Sequence, residues 1–142
     1  MFKPQLKKSL PGADLTVRSL PAKGQQSAEL NGDFDMEQIF WLADFADPIS
    51  FMGILQSSNP QDYGKYKDAY FDKQYQEAES SHAADVKQYW QNMRNLQERL
   101  NTTMPVVPLY QMVESHLVNP RLKGVLRHPV GEDDYTRAYL NE

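Results

Sequence analysis

The chain contains no cysteine, which excludes disulfide bridges and thiolate metal sites. It also has no run of about 18 apolar residues, the length that a membrane-spanning helix requires. The first residues do not have the pattern of a signal peptide, because no apolar run of about seven residues follows Lys3. These absences leave the cellular compartment open.

Positive charge is nowhere concentrated, since 15 basic and 19 acidic residues are spread along the chain and give a net charge of −4. A nucleic-acid surface needs a basic stripe, so no nucleic-acid partner is expected. Neither G-x-G-x-x-G nor G-x-x-x-x-G-K-[ST] occurs, which excludes the common phosphate-binding loops. The three histidines, His82, His116 and His128, are too far apart for a short zinc motif, and no metal or cofactor is expected.

Three segments have the composition of β-strands in a chain of 142 residues, which is long enough for one domain. Residues 15–20 largely alternate apolar and polar residues. Residues 34–42 end in a continuous apolar run, which is typical of a strand buried on both faces of a parallel sheet. Residues 106–110 form the third strand, with 113–118 as a possible extension.

Four helices are predicted between these strands. They cover residues 23–30, residues 49–55, a segment capped by Asp68 that runs to Ala78, and a segment that starts after Ser81, has Asp85 in its first turn and stops at Met104. Asp47 and Pro48 form a helix-start signal, because an aspartate caps free N–H groups and a proline has no N–H to leave unpaired. The last helix carries an apolar stripe expected to pack in the core: Val86, Tyr89, Trp90, Met93, Leu96 and Leu100. The order of strands and helices predicts an α/β fold.

The stretch from Phe40 to Pro48, FWLADFADP, resembles the signature of the oligopeptide- and dipeptide-binding proteins of ABC importers, an extracytoplasmic solute-binding family. Members of that family contain Gly-Trp-x-Ala-Asp-Tyr-x-Asp-Pro before an apolar helix. The matching residues are Trp41, Ala43, Asp44, Asp47 and Pro48. Further likeness covers residues 10–12, 32–35, 59–72 and 107–110, and therefore spans nearly the whole chain.

This resemblance implies a partial lobe of a type II periplasmic-binding-protein-like fold, with a short, mostly parallel sheet flanked by helices. The chain would match the C-terminal portion of a longer receptor that binds peptides and delivers them to an ABC permease. Residues 1–114 would belong to one lobe, and residues 115–142 would return toward the other lobe. The complete protein would be extracytoplasmic and lipid-anchored, and it would not be an enzyme.

The resemblance also implies a peptide site around Asp44, which would receive the free α-amino group of the ligand. Trp41 would line the cleft, and the backbone of Phe40 and Leu42 would pair with the peptide as an added strand. Tyr110 would reach the same cleft with its hydroxyl. On pattern alone, a solvated or capping loop residue is the favoured interpretation of Asp44, and a half-buried sheet residue is that of Tyr110. For Trp41, a core residue and a cleft residue are equally consistent with the pattern.

Three positions depart from the family pattern. Phe40 stands where glycine is common, Phe45 replaces the usual tyrosine, and Asp62 stands where asparagine is frequent. These differences concern the details of ligand contact and leave the fold prediction unchanged.

Truncation relative to the family predicts that the chain alone binds peptide weakly or not at all, and that open strand edges favour a homodimer. The alternative interpretation is a stand-alone structural or interaction module from a truncated gene. An acid–base pair of Asp44 and Asp47 is a poor basis for an enzyme, because Asp47 is explained as a cap and no nucleophile accompanies it.

Overall fold

A computed structural model describes residues 2–113, 115–128, 130 and 132–142. The chain divides into two compact units, Met1–Glu37 and Gln38–Glu142. The division at residues 114 and 115 that the sequence predicts concerns lobes of a larger protein, and it stays a prediction.

The first unit contains two helices, α1 (Phe2–Ser9) and α2 (Ala22–Asn31). Helix α2 confirms the prediction for residues 23–30. It ends at Gly32, whose φ of 67° is left-handed and whose N–H donates to the Glu29 carbonyl at 3.2 Å. Glycine adopts this conformation without a Cβ clash, which is why it is the favoured residue after a helix.

The second unit is built on a helical hairpin preceded by a short helix. Helix α3 (Ile49–Met52) continues into a 3₁₀ turn over Gly53–Leu55, and α4 (Ala69–Glu79) and α5 (Val86–Thr103) follow. All three confirm helices predicted from the sequence. Asp68 caps α4 by accepting from the Phe71 N–H, and Asp85 caps α5 by accepting from two N–H groups of its first turn.

The core of this unit lies between α3, α4 and α5. Its buried apolar residues are Leu55, Phe71, Tyr75, Ala78, Met93 and Leu96. The apolar stripe predicted on α5 is therefore confirmed in its centre, where Met93 and Leu96 are buried. It is wrong at the start of the helix, because Val86 and Trp90 are exposed there and Trp90 packs edge-on against Tyr89.

An ion pair between Asp68 and Arg99 joins the start of α4 to the last turns of α5. The Arg99 Nε donates to Asp68 Oδ2 at 2.6 Å, and the Tyr66 hydroxyl donates to the same oxygen at 3.2 Å. The bond from the Phe71 N–H, reinforced by Arg99, holds the pKa of the buried Asp68 carboxyl below its usual value. The sequence indicated the cap at Asp68 but not this partner, because 31 residues separate the two side chains.

The mostly parallel sheet that was predicted is not present in the described part of the chain. The sheet found there has two antiparallel strands, β1 (Leu122–Lys123) and β2 (Tyr139–Leu140), with an isolated bridge between Leu126 and Asp134 beside it.

The predictions of strands at residues 15–20, 34–42 and 106–110 are therefore wrong for this chain by itself. A strand exists only when its N–H and C=O groups pair with a neighbour. No backbone hydrogen bond within the described residues supplies one for these three segments. In the extension predicted over residues 113–118, Glu114 lies outside the described residues, and the rest forms no strand.

Replacing Asp68 by alanine removes a helix cap and the partner of Arg99. We expect Asp68→Ala to lower the free energy of unfolding by about 2–3 kcal/mol. Asp85→Ala, which removes an exposed cap without an ion pair, should cost only about 1 kcal/mol. Urea denaturation followed by circular dichroism measures both, and equal losses would mean that the Arg99 contact contributes nothing.

The lowered pKa of Asp68 also predicts the direction of a pH effect. The folded state favours the ionised form of the Asp68 carboxyl. The stability that this group contributes is therefore present above the ordinary aspartate pKa of about 3.9 and is lost as pH falls through the lowered pKa of the folded state. Between about pH 5 and pH 2, the wild-type chain should lose more stability than Asp68→Asn. Parallel stability curves for the two proteins would contradict this assignment.

Candidate functional site

The loop that leads into α3, residues 40–48, is held by two hydrogen bonds to one residue. The Trp41 indole Nε1 donates to the Ser50 carbonyl at 3.1 Å. The Asp44 backbone N–H donates to the Ser50 hydroxyl at 2.9 Å. Ser50 is buried, so water does not compete freely for either bond. The indole of Trp41 and the backbone of Asp44 are thus both hydrogen-bonded to a residue of α3.

Asp47 ties the end of this loop to two elements. Its Oδ1 accepts from the Ile49 N–H at 2.9 Å, and Pro48 already has the helical φ of −57°. The predicted helix-start signal is confirmed. The same oxygen also accepts a hydrogen bond from the Tyr89 hydroxyl of α5. Burial, followed by this bond to Asp47, raises the pKa of the Tyr89 phenol well above its ordinary value.

Asp44 lies in the loop with its side chain exposed. Directly before it, Ala43 is only 2 % exposed, so the chain is pinned to the protein body at that point. Within the described residues no hydrogen bond or ion pair reaches the Asp44 carboxylate, and local capping is done by Asp47 instead. A carboxylate that is fixed by its backbone and open to solvent is free to accept hydrogen bonds from a cation.

Of the other predicted site residues, Phe40, Trp41 and Leu42 lie in this loop and Tyr110 lies outside it. Phe40 and Leu42 flank Trp41 with exposed side chains, and no backbone hydrogen bond to either is found in the part of the chain that is described. Trp41 itself is half-buried, and its indole N–H is paired. Tyr110 is exposed, and no hydrogen bond links it to this loop in the described ranges. The structure therefore joins Trp41 and Asp44 but supplies no link to Tyr110.

Sequence reasoning missed Ser50 and Tyr89. Ser50 lies two residues after Pro48, and nothing in the sequence around it indicates that its side chain makes a specific contact. Tyr89 lies in an apolar stripe, which indicated core packing, and it lies 42 residues from Asp47. Only the α4–α5 hairpin brings the Tyr89 hydroxyl to the loop.

The described residues offer neither a metal site nor a membrane-spanning helix. Across the described residues, no three His, Asp or Glu side chains are grouped so that they could hold a metal ion. His82 instead lies with its Nδ1 at 2.7 Å from the Asn92 side-chain oxygen. None of the described helices combines the length and apolar character needed to cross a bilayer.

Comparison with known proteins gives the class. No protein-family model matches the chain. In sequence and fold, however, the chain resembles a portion of the oligopeptide- and dipeptide-binding proteins of ABC transporters, which have the type II periplasmic fold. It spans about a fifth of the length of the curated relatives that it matches.

Individual relatives make this class concrete. The chain is 34 % identical over 108 residues, 76 % of its length, to the dipeptide-binding protein DppE of Bacillus subtilis, and covers 20 % of that protein. It is 27 % identical over 134 residues, 94 % of its length, to the periplasmic oligopeptide-binding protein OppA of Salmonella typhimurium, of which it covers 23 %. The substrate-binding domain of an oligopeptide ABC transporter from Bacillus anthracis matches 99 % of this chain with a TM-score of 0.82 and 28 % identity, and the chain covers 27 % of it.

The contact between Asp47 and Tyr89 predicts a measurable change in the tyrosine. In Asp47→Ala we expect the pKa of Tyr89 to fall toward its ordinary value, because a hydrogen-bonded negative charge is removed. Loss of the cap and of this bond should also cost about 1–2 kcal/mol of stability. Nuclear magnetic resonance titration with labelled tyrosine rings measures the pKa.

Tyr75 is the internal control for this experiment. Burial and a hydrogen bond to Glu79 raise the pKa of Tyr75, and Asp47 does not contribute to this shift. Its titration should therefore stay where it is in Asp47→Ala. An unchanged Tyr89 titration would show that Asp47 does not act on this phenol.

Proposed function

We propose that this chain is part of a receptor that binds peptides outside the cytoplasm for an ABC importer. Residues 40–44 form one wall of the peptide cleft, and the Asp44 carboxylate accepts the free α-amino group of the ligand. The observation that carries this proposal is the exposed Asp44 carboxylate, which has no partner within the described residues and lies in a loop held by Ser50. A charge-assisted hydrogen bond of this kind is worth roughly 1.5–3 kcal/mol.

The backbone beside Asp44 suits the same ligand. Phe40 and Leu42 have N–H and C=O groups that make no backbone hydrogen bond in the described ranges. An extended peptide can pair with such groups as an added strand, which gives affinity without reading its side chains. The half-buried indole of Trp41 then offers an apolar surface to a peptide side chain. Tyr110 remains a candidate for a further contact from its hydroxyl.

Strand partners for residues 34–42 and 106–110 would come from the rest of the receptor. The solved neighbour from Bacillus anthracis shares the fold over 99 % of this chain, yet the chain covers only 27 % of it. In the complete receptor these segments would join a mostly parallel sheet within one lobe, and residues 115–142 would run toward the second lobe. Two lobes that close around a peptide exclude water from Asp44 and strengthen its ionic bond.

The same relationship supports the location that we propose. OppA of Salmonella typhimurium is a periplasmic protein. We place this receptor outside the cytoplasm too, attached to the membrane by a lipid and delivering its peptide to an ABC permease. The receptor itself would catalyse no reaction, because its task is to bind and release.

The sharpest test compares free and N-acetylated peptides on the complete receptor. Asp44→Asn should weaken binding of peptides with a free N-terminus by about ten-fold or more, since it removes the charge that meets the ammonium group. Binding of the N-acetylated peptides, which we expect to be weak already in the wild type, should hardly change. Isothermal titration calorimetry measures both affinities.

Glu98→Gln is the matched control, because it removes one exposed acidic charge from α5, outside the loop. It should leave both affinities unchanged. If Asp44→Asn and Glu98→Gln behave alike, Asp44 does not hold the peptide N-terminus. The chain would then be better described as a structural or interaction module.

The isolated 142-residue chain should bind short peptides weakly or not at all, because the opposite wall of the cleft is missing. It should also self-associate, since the segment from Val106 to Val113 exposes apolar side chains and makes no backbone hydrogen bonds in the described ranges. Light scattering across a range of concentrations should detect a homodimer. Sub-micromolar peptide binding by the isolated chain, or a monomer at every concentration, would contradict these two expectations respectively.

A further inference from the structure

We propose that Ser50 is a positioning residue that sets Asp44 and Trp41 in register with each other, and that Tyr89 holds the helix on which Ser50 lies. This inference rests on the proposed function, because it assigns a role to residues that do not themselves touch the ligand.

Ser50 uses two different groups for its two contacts. Its hydroxyl accepts from the Asp44 backbone N–H at 2.9 Å, whereas its backbone carbonyl accepts from the Trp41 indole at 3.1 Å. Both groups belong to a buried residue that is 8 % exposed. The same residue therefore fixes both the loop that carries the Asp44 carboxylate and the indole of Trp41. A substitution of the side chain can remove the first contact and leave the second.

Tyr89 acts one step further away. The Ser50 N–H donates to the Asp47 carbonyl at 3.1 Å, and the Asp47 side chain receives the Tyr89 hydroxyl. Tyr89 is packed against the core of the α4–α5 hairpin, which is the most extensively buried part of this unit. The hairpin thus holds Asp47, Asp47 begins α3, and α3 presents Ser50 to the loop.

Such an arrangement matters because a loop that is ordered before the ligand arrives loses less conformational entropy on binding. Without the Ser50 hydroxyl, the Asp44 N–H loses its protein acceptor and the loop can sample other conformations. The carboxylate would then meet the peptide ammonium group only part of the time. The affinity lost should be specific for ligands that use this charge.

The first arm of the test needs no ligand and is made on the 142-residue chain itself. In Ser50→Ala, the amide hydrogen of Asp44 should exchange with solvent about ten-fold faster or more, because its hydrogen bond is gone. The indole N–H of Trp41 should be unaffected, since its acceptor is a backbone carbonyl. Magnetic resonance can follow both protons, and Trp90→Phe removes the only other indole signal of this chain.

Three further variants complete this arm. Ser50→Thr keeps a hydroxyl and should restore slow exchange at Asp44. Ser58→Ala removes an exposed hydroxyl outside the loop and should change neither proton. Tyr89→Phe should speed exchange at Asp44 and also disturb the Trp41 indole, because it loosens α3 itself.

The second arm measures peptide affinity. Ser50→Ala should weaken binding of peptides with a free N-terminus by about five-fold and leave N-acetylated peptides nearly unchanged, and Ser50→Thr should recover the difference. If Asp44→Asn weakens binding but Ser50→Ala alters neither exchange nor affinity, the positioning role is wrong. If Ser50→Ala speeds exchange at Asp44 while Asp44→Asn has no effect on affinity, the loop contact stands and the proposed function fails.

Discussion

The hydrogen bond between Tyr89 and Asp47 is the contact on which the candidate site depends. It connects the best-packed part of the second unit, the α4–α5 hairpin, to a loop that has little packing of its own. Loops are mobile unless side chains hold them, because their backbone groups are not paired in a regular ladder. Here the Tyr89 hydroxyl holds Asp47 at the start of α3, and Ser50 holds the loop through its hydrogen bonds to Trp41 and Asp44.

The hairpin that carries Tyr89 is itself specified by polar contacts as well as by its core. Asn92 is 3 % exposed and donates to the Gln74 and Glu77 side chains of α4, while its own oxygen lies against His82. Burying an amide is tolerated only when its donors and acceptors are paired. Because these partners match at one alignment of the helices, the network selects a single packing of α4 on α5. The Asp68–Arg99 pair does the same nearer the far end of α5.

Exposed apolar residues show which part of the chain lacks a neighbour. The prediction of strands at residues 34–42 and 106–110 rested on apolar composition, and that composition is real. Yet Leu42 and Val107 are exposed, and neither segment pairs with another in the described ranges. Local composition indicates what a segment can become, whereas a strand also requires a partner edge. The chain covers about a quarter of two solved neighbours, and we propose that the rest of the receptor supplies these partner edges.

The helices were determined by the sequence alone, because a helix satisfies its own backbone within a few residues and its caps are local. Asp68 and the Asp47–Pro48 pair begin helices where the sequence indicates, whereas Asp85, which the sequence placed in the first turn of its helix, is the residue that caps it. The candidate carboxylate at Asp44 was also visible in the sequence, although through resemblance to a family rather than through physics. Tertiary structure alone decided the contacts of Ser50, Tyr89 and Arg99, since each depends on residues brought together by packing. The prediction of the parallel sheet was wrong because pairing is a property of two segments, and within the described residues none of the segments 15–20, 34–42 and 106–110 has a hydrogen-bonded partner strand.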